Sequence, residues 1–274
     1  MSTIHHILAK IVYGSQIIDR GFRKYGRLRE KIALKLCHPE FMQSYNEIAY
    51  AHMSSYLADS PDFEDELFAW EKHLIEEYFP APPARILIGG AGGGREAFSL
   101  AEQGYEIMAF DIAKVLVKSM QQRIGSLPIK AFHGAYEDLW GESKNGSELP
   151  SSKELGVFDA FIIGWGSFSH LLDEHDRLQL LRTAKSLVPK GAPILLSFLP
   201  AVNTTGKHLQ NPEKAREVMK TAAPTRPHDF QARMGFIHRF HENEILSLFE
   251  EAELELCYNG MFKGTYPHML VKAS

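Results

Sequence analysis

Five glycines crowd into the six residues Gly89-Gly-Ala-Gly-Gly-Gly94, at the end of an apolar run that begins at Arg85. Gly90, Gly92 and Gly94 permit backbone conformations closed to other residues and leave no Cβ between the chain and a ligand. A second apolar run, from Tyr105 to Phe110, ends on Asp111, where a carboxylate can accept from both hydroxyls of a ribose. Together the turn and the acid describe a crevice for a nucleoside. His170 follows a later apolar run, 158–164, and imidazole is the side chain suited to taking a proton near neutral pH.

Groups this far apart in sequence meet only if their strands end on one edge. From Ala84 onward apolar runs alternate with helical spacing: strands at 84–89, 105–110, 129–133, 158–164 and 193–198, and helices at 94–103, 112–124 and 175–188. Such alternation gives an α/β fold, a doubly wound and mainly parallel sheet of about seven strands covered on both faces. A helix at about 241–252 and strands near 253–259 and 267–272 finish it. Asn259-Gly260 and Gly264 between those strands predict a terminal antiparallel hairpin. Residues 200–236, with Pro200, Pro212, Pro224 and Pro227, break the rhythm and read as an insertion over the crevice after strand 5.

Residues 1–80 read instead as a helical appendage or lid to the 81–274 domain. Ile4, Leu8, Ile11 and Val12 make one stripe at helical spacing, and Phe63, Leu67, Trp70, Leu74 and Ile75 another. Between them Arg20, Arg23, Lys24, Arg27, Arg29, Lys31 and Lys35 form a basic stretch, read as a solvated helix face.

At 274 residues and 45% hydrophobic content the chain can fill a large core. A net charge of -4 gives no global attraction to nucleic acid, so none is expected as a partner. Cys37 and Cys257 have no ligand spacing, so neither a disulfide framework nor a structural zinc is indicated, and a reducing cytoplasmic setting is expected. No apolar run reaches the length of a membrane span, and the amino terminus carries no secretion signal.

A glycine loop of this kind serves dinucleotides, phosphates and adenosylmethionine alike. A dinucleotide register from Gly90 would need glycine at Arg95, and one from Gly92 falls on Ala97, displaced from the strand end. No GxxxxGK[ST] pattern is present.

In the order of its motifs the chain resembles the class I S-adenosylmethionine-dependent methyltransferases. The resemblance is carried by Gly90-Ala-Gly92-Gly-Gly94 with Arg95-Glu96, by Asp111, by Gly134-Ala-Tyr-Glu-Asp-Leu139, by Phe158 to Leu171, by Leu187 to Ser197 and by His238 to Glu244. It covers about residues 70–274. It implies S-adenosyl-L-methionine as cofactor, held by Gly90, Ala91, Gly92, Gly94, Asp111 and Ile112, with Ala135, Tyr136 and Glu137 toward the adenine and Gly164 and Trp165 near the methyl group. Two positions depart from the pattern: Ile88 replaces a common acid inside the first strand, and Ala135 an aspartate that accepts from the adenine amino group. Glu137, Asp138 or a backbone carbonyl are the alternatives for that contact.

The implied reaction is methyl transfer to a small-molecule acceptor, with His170 as base and Tyr45, Tyr50, Phe168, His228 and His238 on the acceptor side. No metal is implied. Trp165, Phe168 and Tyr136 are rings that suit an apolar pocket, where a ring face also favours a sulfonium. Two other readings stand beside it: a nicotinamide-dependent oxidoreductase using Gly92, Gly94 and Ala97, and a non-catalytic scaffold of the same fold.

Overall fold

In the computed structural model, residues 3–18, 29, 32, 39–141, 146–201, 229–232, 235–261 and 266–274 are described. Five parallel strands follow the apolar runs closely: β1 (Arg85–Gly89), β2 (Glu106–Asp111), β3 (Ile129–His133), β4 (Ala160–Ile163) and β5 (Pro193–Ser197). Two more short strands, β6 (Asp229–Ala232) and β7 (Gly235–His238), precede β8 (Leu254–Asn259) and β9 (His268–Ala273). The main sheet runs β3-β2-β1-β4-β5-β9-β8, with β9 antiparallel to both neighbours as the terminal hairpin predicts.

The alternation of side chains across this sheet builds two cores. Leu87, Phe161, Ile163, Ile194, Leu196, Met269 and Val271 face one layer. Ile86, Ile88, Ala160, Ile162, Leu195 and Leu270 face the other. Strands apolar on both faces are what a sheet covered by helices on each side requires. Ile88 is fully buried in this packing.

The covering helices are α1 (Thr3–Ile18), α2 (Pro39–Ala51), α3 (Ala69–Tyr78), α4 (Arg95–Glu102), α5 (Lys114–Arg123), α6 (Ser152–Leu155), α7 (Glu174–Leu187) and α8 (Glu242–Glu251). Gly94, at φ 96°, turns the glycine loop into α4, and Asp173 starts α7 by accepting from the His175 amide at 2.9 Å.

Two readings are refined. α1 is helical as its spacing predicts, but its stripe divides: Val12 is buried beside Ala9 with Leu8 packed against them, whereas Ile4 and Ile11 are 63% and 62% exposed. α1 packs into a small third core with Phe41, Tyr45 and Ala49 of α2, and the small Ala9 permits that approach. The 200–236 insertion is also not irregular throughout. β6 and β7 pair antiparallel, Asp229 opposite His238, and Phe236 and Ile237 are buried. Residues 202–228, including His228, and most of the basic 20–35 stretch lie outside the described residues.

Candidate active site

The site forms where the strand order reverses. β1 lies between β2 and β4, so its carboxyl end opens a cleft between chains running to opposite sides of the sheet. Gly90 and Gly92 take φ values of 64° and 57° in the turn leaving β1. Those values favour glycine. A Cβ at Gly90 would overlap Ser167, and one at Gly164 would stand 2.6 Å from the Gly90 carbonyl oxygen. The Gly164 amide donates to the Gly89 carbonyl at 2.8 Å, and the Ala91 amide to the Phe110 carbonyl at 3.0 Å. These bonds lock the ends of β1, β2 and β4 together.

Asp111 ends β2 facing this turn. Its Oδ2 accepts from the Gly92 amide and its Oδ1 from the Ala113 amide, both at 2.8 Å. Burial raises its pKa, opposed by the two amides that favour the charged form. A carboxylate has about four acceptor positions, so two amides leave capacity for ligand hydroxyls.

The loop after β3 is fixed by its own side chains. Asp138 Oδ2 accepts from the Ala135 amide at 2.8 Å and so stabilises the turn at Tyr136–Trp140. Tyr136 is buried edge-on against Phe110, ring centroids 5.4 Å apart, and its hydroxyl meets Ser167 Oγ at 2.6 Å. It is a strut beneath the glycine turn. His133, which the sequence did not single out, stands opposite Asp111 in register, with Nε2 3.2 Å from the Ile112 carbonyl oxygen. A carbonyl only accepts, so Nε2 carries the proton.

The third wall follows β4. The Trp165 indole is stacked with Tyr56 at 6.3 Å and 10°, and Phe68 and Tyr266 meet it edge-on at 5.1 and 4.9 Å. Tyr56 belongs to the loop after α2, and its carbonyl lies so close to Gly93 that a Cβ there would overlap it. The amino-terminal segment thus rests directly on the glycine loop. Burial pushes the Tyr56 phenol up to about 12.

His170 ends the turn Ser167–His170. Its Nδ1 lies 2.9 Å from the Phe236 carbonyl oxygen and its Nε2 3.0 Å from Tyr50 Oη. Burial lowers the His170 pKa, favouring the neutral ring, and raises that of Tyr50 well above its usual value. Arg177, fully buried, holds the segment behind His170 by donating to the Leu171 carbonyl at 2.7 Å and the Leu172 carbonyl at 2.9 Å. Glu244 receives Arg177 at 3.3 Å and His238 at 2.8 Å.

A second tie joins the amino-terminal segment to the site. Arg95 sends both terminal nitrogens to Glu71 at 2.7 Å, one of them also to Glu96 at 2.7 Å, and lies 4.0 Å over the Phe68 ring. Burial, then the nearby Glu96 charge, raises Glu71 to about 7 against the pull of Arg95.

Of the residues read from the sequence, Gly90, Ala91, Gly92, Gly94, Asp111, Ile112, Gly164 and Trp165 converge at these strand ends, and Tyr50 meets His170. Ala135 and Glu137 lie in the turn after β3, beside Tyr136. Phe168, Tyr45 and His238 are packed among other side chains: Phe168 against Phe240, Tyr45 against Phe236, His238 against Phe240 and Glu244. Tyr56, Phe68, Tyr266 and His133 were missed, since nothing in their local sequence marks them. Among the described residues no three His, Cys, Asp or Glu side chains gather to hold a metal, and no helix is long and apolar enough to cross a membrane.

No protein-family model matches the chain, and no curated protein sequence matches it. Solved structures do. A TehB-like SAM-dependent methyltransferase from Corynebacterium glutamicum is similar at TM-score 0.52 and 15% identity, over 83% of this chain and 98% of that one. A SAM-dependent methyltransferase from Leishmania major is similar at TM-score 0.56 and 11% identity, over 85% and 83%. One from Methanosarcina mazei is similar at TM-score 0.50 and 16% identity, over 76% and 96%. The chain therefore has the class I S-adenosylmethionine-dependent methyltransferase fold.

Proposed function

We propose that this chain transfers a methyl group from S-adenosyl-L-methionine to a small-molecule acceptor. The observation that carries the reading is Asp111, fixed by the Gly92 and Ala113 amides at the end of β2 so that its remaining lone pairs stand beside the glycine turn. This arrangement fits the cofactor. A ribose diol needs an anchored acceptor, and a bare turn with positive φ admits the ligand backbone-close. Gly90, Ala91, Gly92 and Gly94 would hold the amino-acid end, Asp111 the ribose, and Ile112 with the Ala135–Glu137 turn the adenine.

The bound cofactor supplies an activated methyl group on a sulfonium. Displacement at that carbon is in line, so the protein contributes alignment and exclusion of water. Trp165 gives the cation an aromatic face. Residues 1–80 serve as a lid: α2 and the loop after it cover the cleft through Tyr50 and Tyr56, and Glu71 fastens the segment to Arg95. A cleft closed from above by side chains suits a small acceptor rather than a macromolecule.

Calorimetry with S-adenosylhomocysteine, and NADH in parallel, tests the reading. Micromolar binding of the former with none of the latter is expected. Binding of NADH alone would favour the oxidoreductase, and binding of neither the scaffold.

A further inference from the structure

The hydrogen bonds of His170 determine which of its nitrogens is basic and what covers it. The Phe236 carbonyl can only accept, so Nδ1 bears the ring proton. Nε2 then carries the lone pair, and Tyr50 Oη, 3.0 Å away, donates to it. The imidazole cannot meet an acceptor directly at its basic nitrogen, because a phenol from the lid stands there. That phenol keeps its own oxygen lone pairs, and its ring is 5.3 Å from that of Tyr56, whose carbonyl lies against Gly93 of the glycine loop.

We propose that Tyr50 and His170 form a two-step proton relay, in which Tyr50 Oη touches the methyl acceptor as the catalytic group and His170 is the positioning base behind it. This rests on the methyl-transfer reading and narrows its substrate class. The acceptor must have a proton to lose, as a hydroxyl or an amine N–H does and a thioether or tertiary amine does not.

The step balances. The proton on the acceptor passes to Tyr50 Oη while the phenolic proton passes to His170 Nε2. The freed electron pair on the acceptor forms the bond to the methyl carbon, and the C–S pair remains on sulfur. One positive charge is present before, on sulfonium, and one after, on an imidazolium whose Nδ1–H stays on the Phe236 carbonyl. The cleft gains no net charge, which matters in a buried setting where isolated charge is costly. Tyr50 itself remains a neutral phenol before and after. The titratable groups facing the pair are Tyr56 on the lid loop and Asp111 on β2.

The test uses the full chain labelled with ¹⁵N-histidine, S-adenosylmethionine and S-adenosylhomocysteine as probes, and His170→Gln to assign the resonance. Expected are an Nδ1–H tautomer, a shift of the Nε2 resonance in Tyr50→Phe, and a midpoint for second protonation about one pH unit lower with the sulfonium bound than with the thioether, because a cation near the ring opposes another. Equal midpoints in the two complexes, with both probes bound, would overturn the relay and leave a hydrogen bond that only fastens the lid. An unmoved Nε2 resonance in Tyr50→Phe would overturn it too. Failure of the parent chain to bind either probe would instead sink the methyl-transfer reading, and calorimetry on the same sample separates the two failures.

Discussion

Glu71, in the helix that ends the amino-terminal segment, gives both carboxylate oxygens to Arg95, at 2.7 Å each, in the first turn of the helix behind the glycine loop. The pair is nearly dry, with side-chain exposures of 3% and 13%, and Glu96 shares the same guanidinium. Two carboxyl groups thus share one cation beneath the amino-terminal segment, and burial with the Glu96 charge beside it raises Glu71 to about 7. The amino-terminal segment is therefore tied to the helix behind the glycine loop by this arginine as well as by the Tyr56 contact at Gly93.

Removing that arginine should be costly. Arg95→Ala leaves Glu71 and Glu96 facing each other without a counter-charge, and breaking a buried pair this way costs about 3–5 kcal/mol. A marked fall in the thermal midpoint is expected, and a fall of less than about 2 °C would show that solvent already reaches the pair.

The same pair gives stability a pH dependence of definite sign. Glu71 rises from 4.5 to about 7 in the folded chain, so the folded state binds its proton more tightly than the unfolded state does. Its contribution is then fully favourable below about 4.5 and lost as pH rises through about 7. Thermal melts between pH 5 and 8 should show this decline in the parent and a flatter curve in Glu71→Gln. Parallel curves would mean that Glu71 stays ionised throughout.

Asp111→Ala removes the acceptor of two amides as well as the proposed ribose anchor. S-adenosylhomocysteine affinity should drop by about 100-fold, in the range of losing hydrogen bonds to a charged group. The measurement is calorimetric, with circular dichroism to confirm the fold. Undiminished affinity would remove Asp111 from the site.

Gly93→Ala probes the contact of the amino-terminal segment alone. Gly93 has an ordinary φ, so the added methyl group meets only the overlap with the Tyr56 carbonyl and close contact with Phe63. The Tyr56 loop should be displaced from Trp165, seen as a change in tryptophan emission, with the sheet intact. Gly164→Ala, by contrast, meets the Gly90 carbonyl oxygen at 2.6 Å and that of Gly89, the last residue of β1, at 2.9 Å, and should lower the thermal midpoint itself.

Tyr50→Phe keeps the ring and deletes the Oη that donates to His170. Turnover of a hydroxyl or amine acceptor should fall by about 100-fold with little change in KM, the usual size of a lost acid–base group. Retained kcat would assign the base elsewhere.

Much of the fold was legible because its strands are apolar on both faces. Runs such as Arg85–Gly89 and Pro193–Ser197 can only be buried, and each was read within a residue or two. The β6–β7 pair was not, since its four-residue strands adjoin a polar, proline-rich stretch that gives no period to count. The α1 stripe was legible as a helix and no further. Periodicity shows that a helix has an apolar face, but which sector docks depends on the partner, and α2 meets Leu8, Ala9 and Val12 while Ile4 and Ile11 stay exposed.

At the site the division is sharper. Local sequence determined the glycine turn, the acid closing β2 and the alternation of strands and helices that makes a parallel sheet, because each rests on backbone conformation or short-range pattern, whereas the strand order that sets β1 between β2 and β4 is a tertiary result. Only tertiary structure decided what the polar side chains do there. His170 and Tyr50 are 120 residues apart, Arg95 and Glu71 are 24 apart, and no local pattern records that either pair will meet. Whether a histidine is an open base or one covered by a phenol depends on which acceptors and donors surround its two nitrogens, and here those come from β7 and from α2.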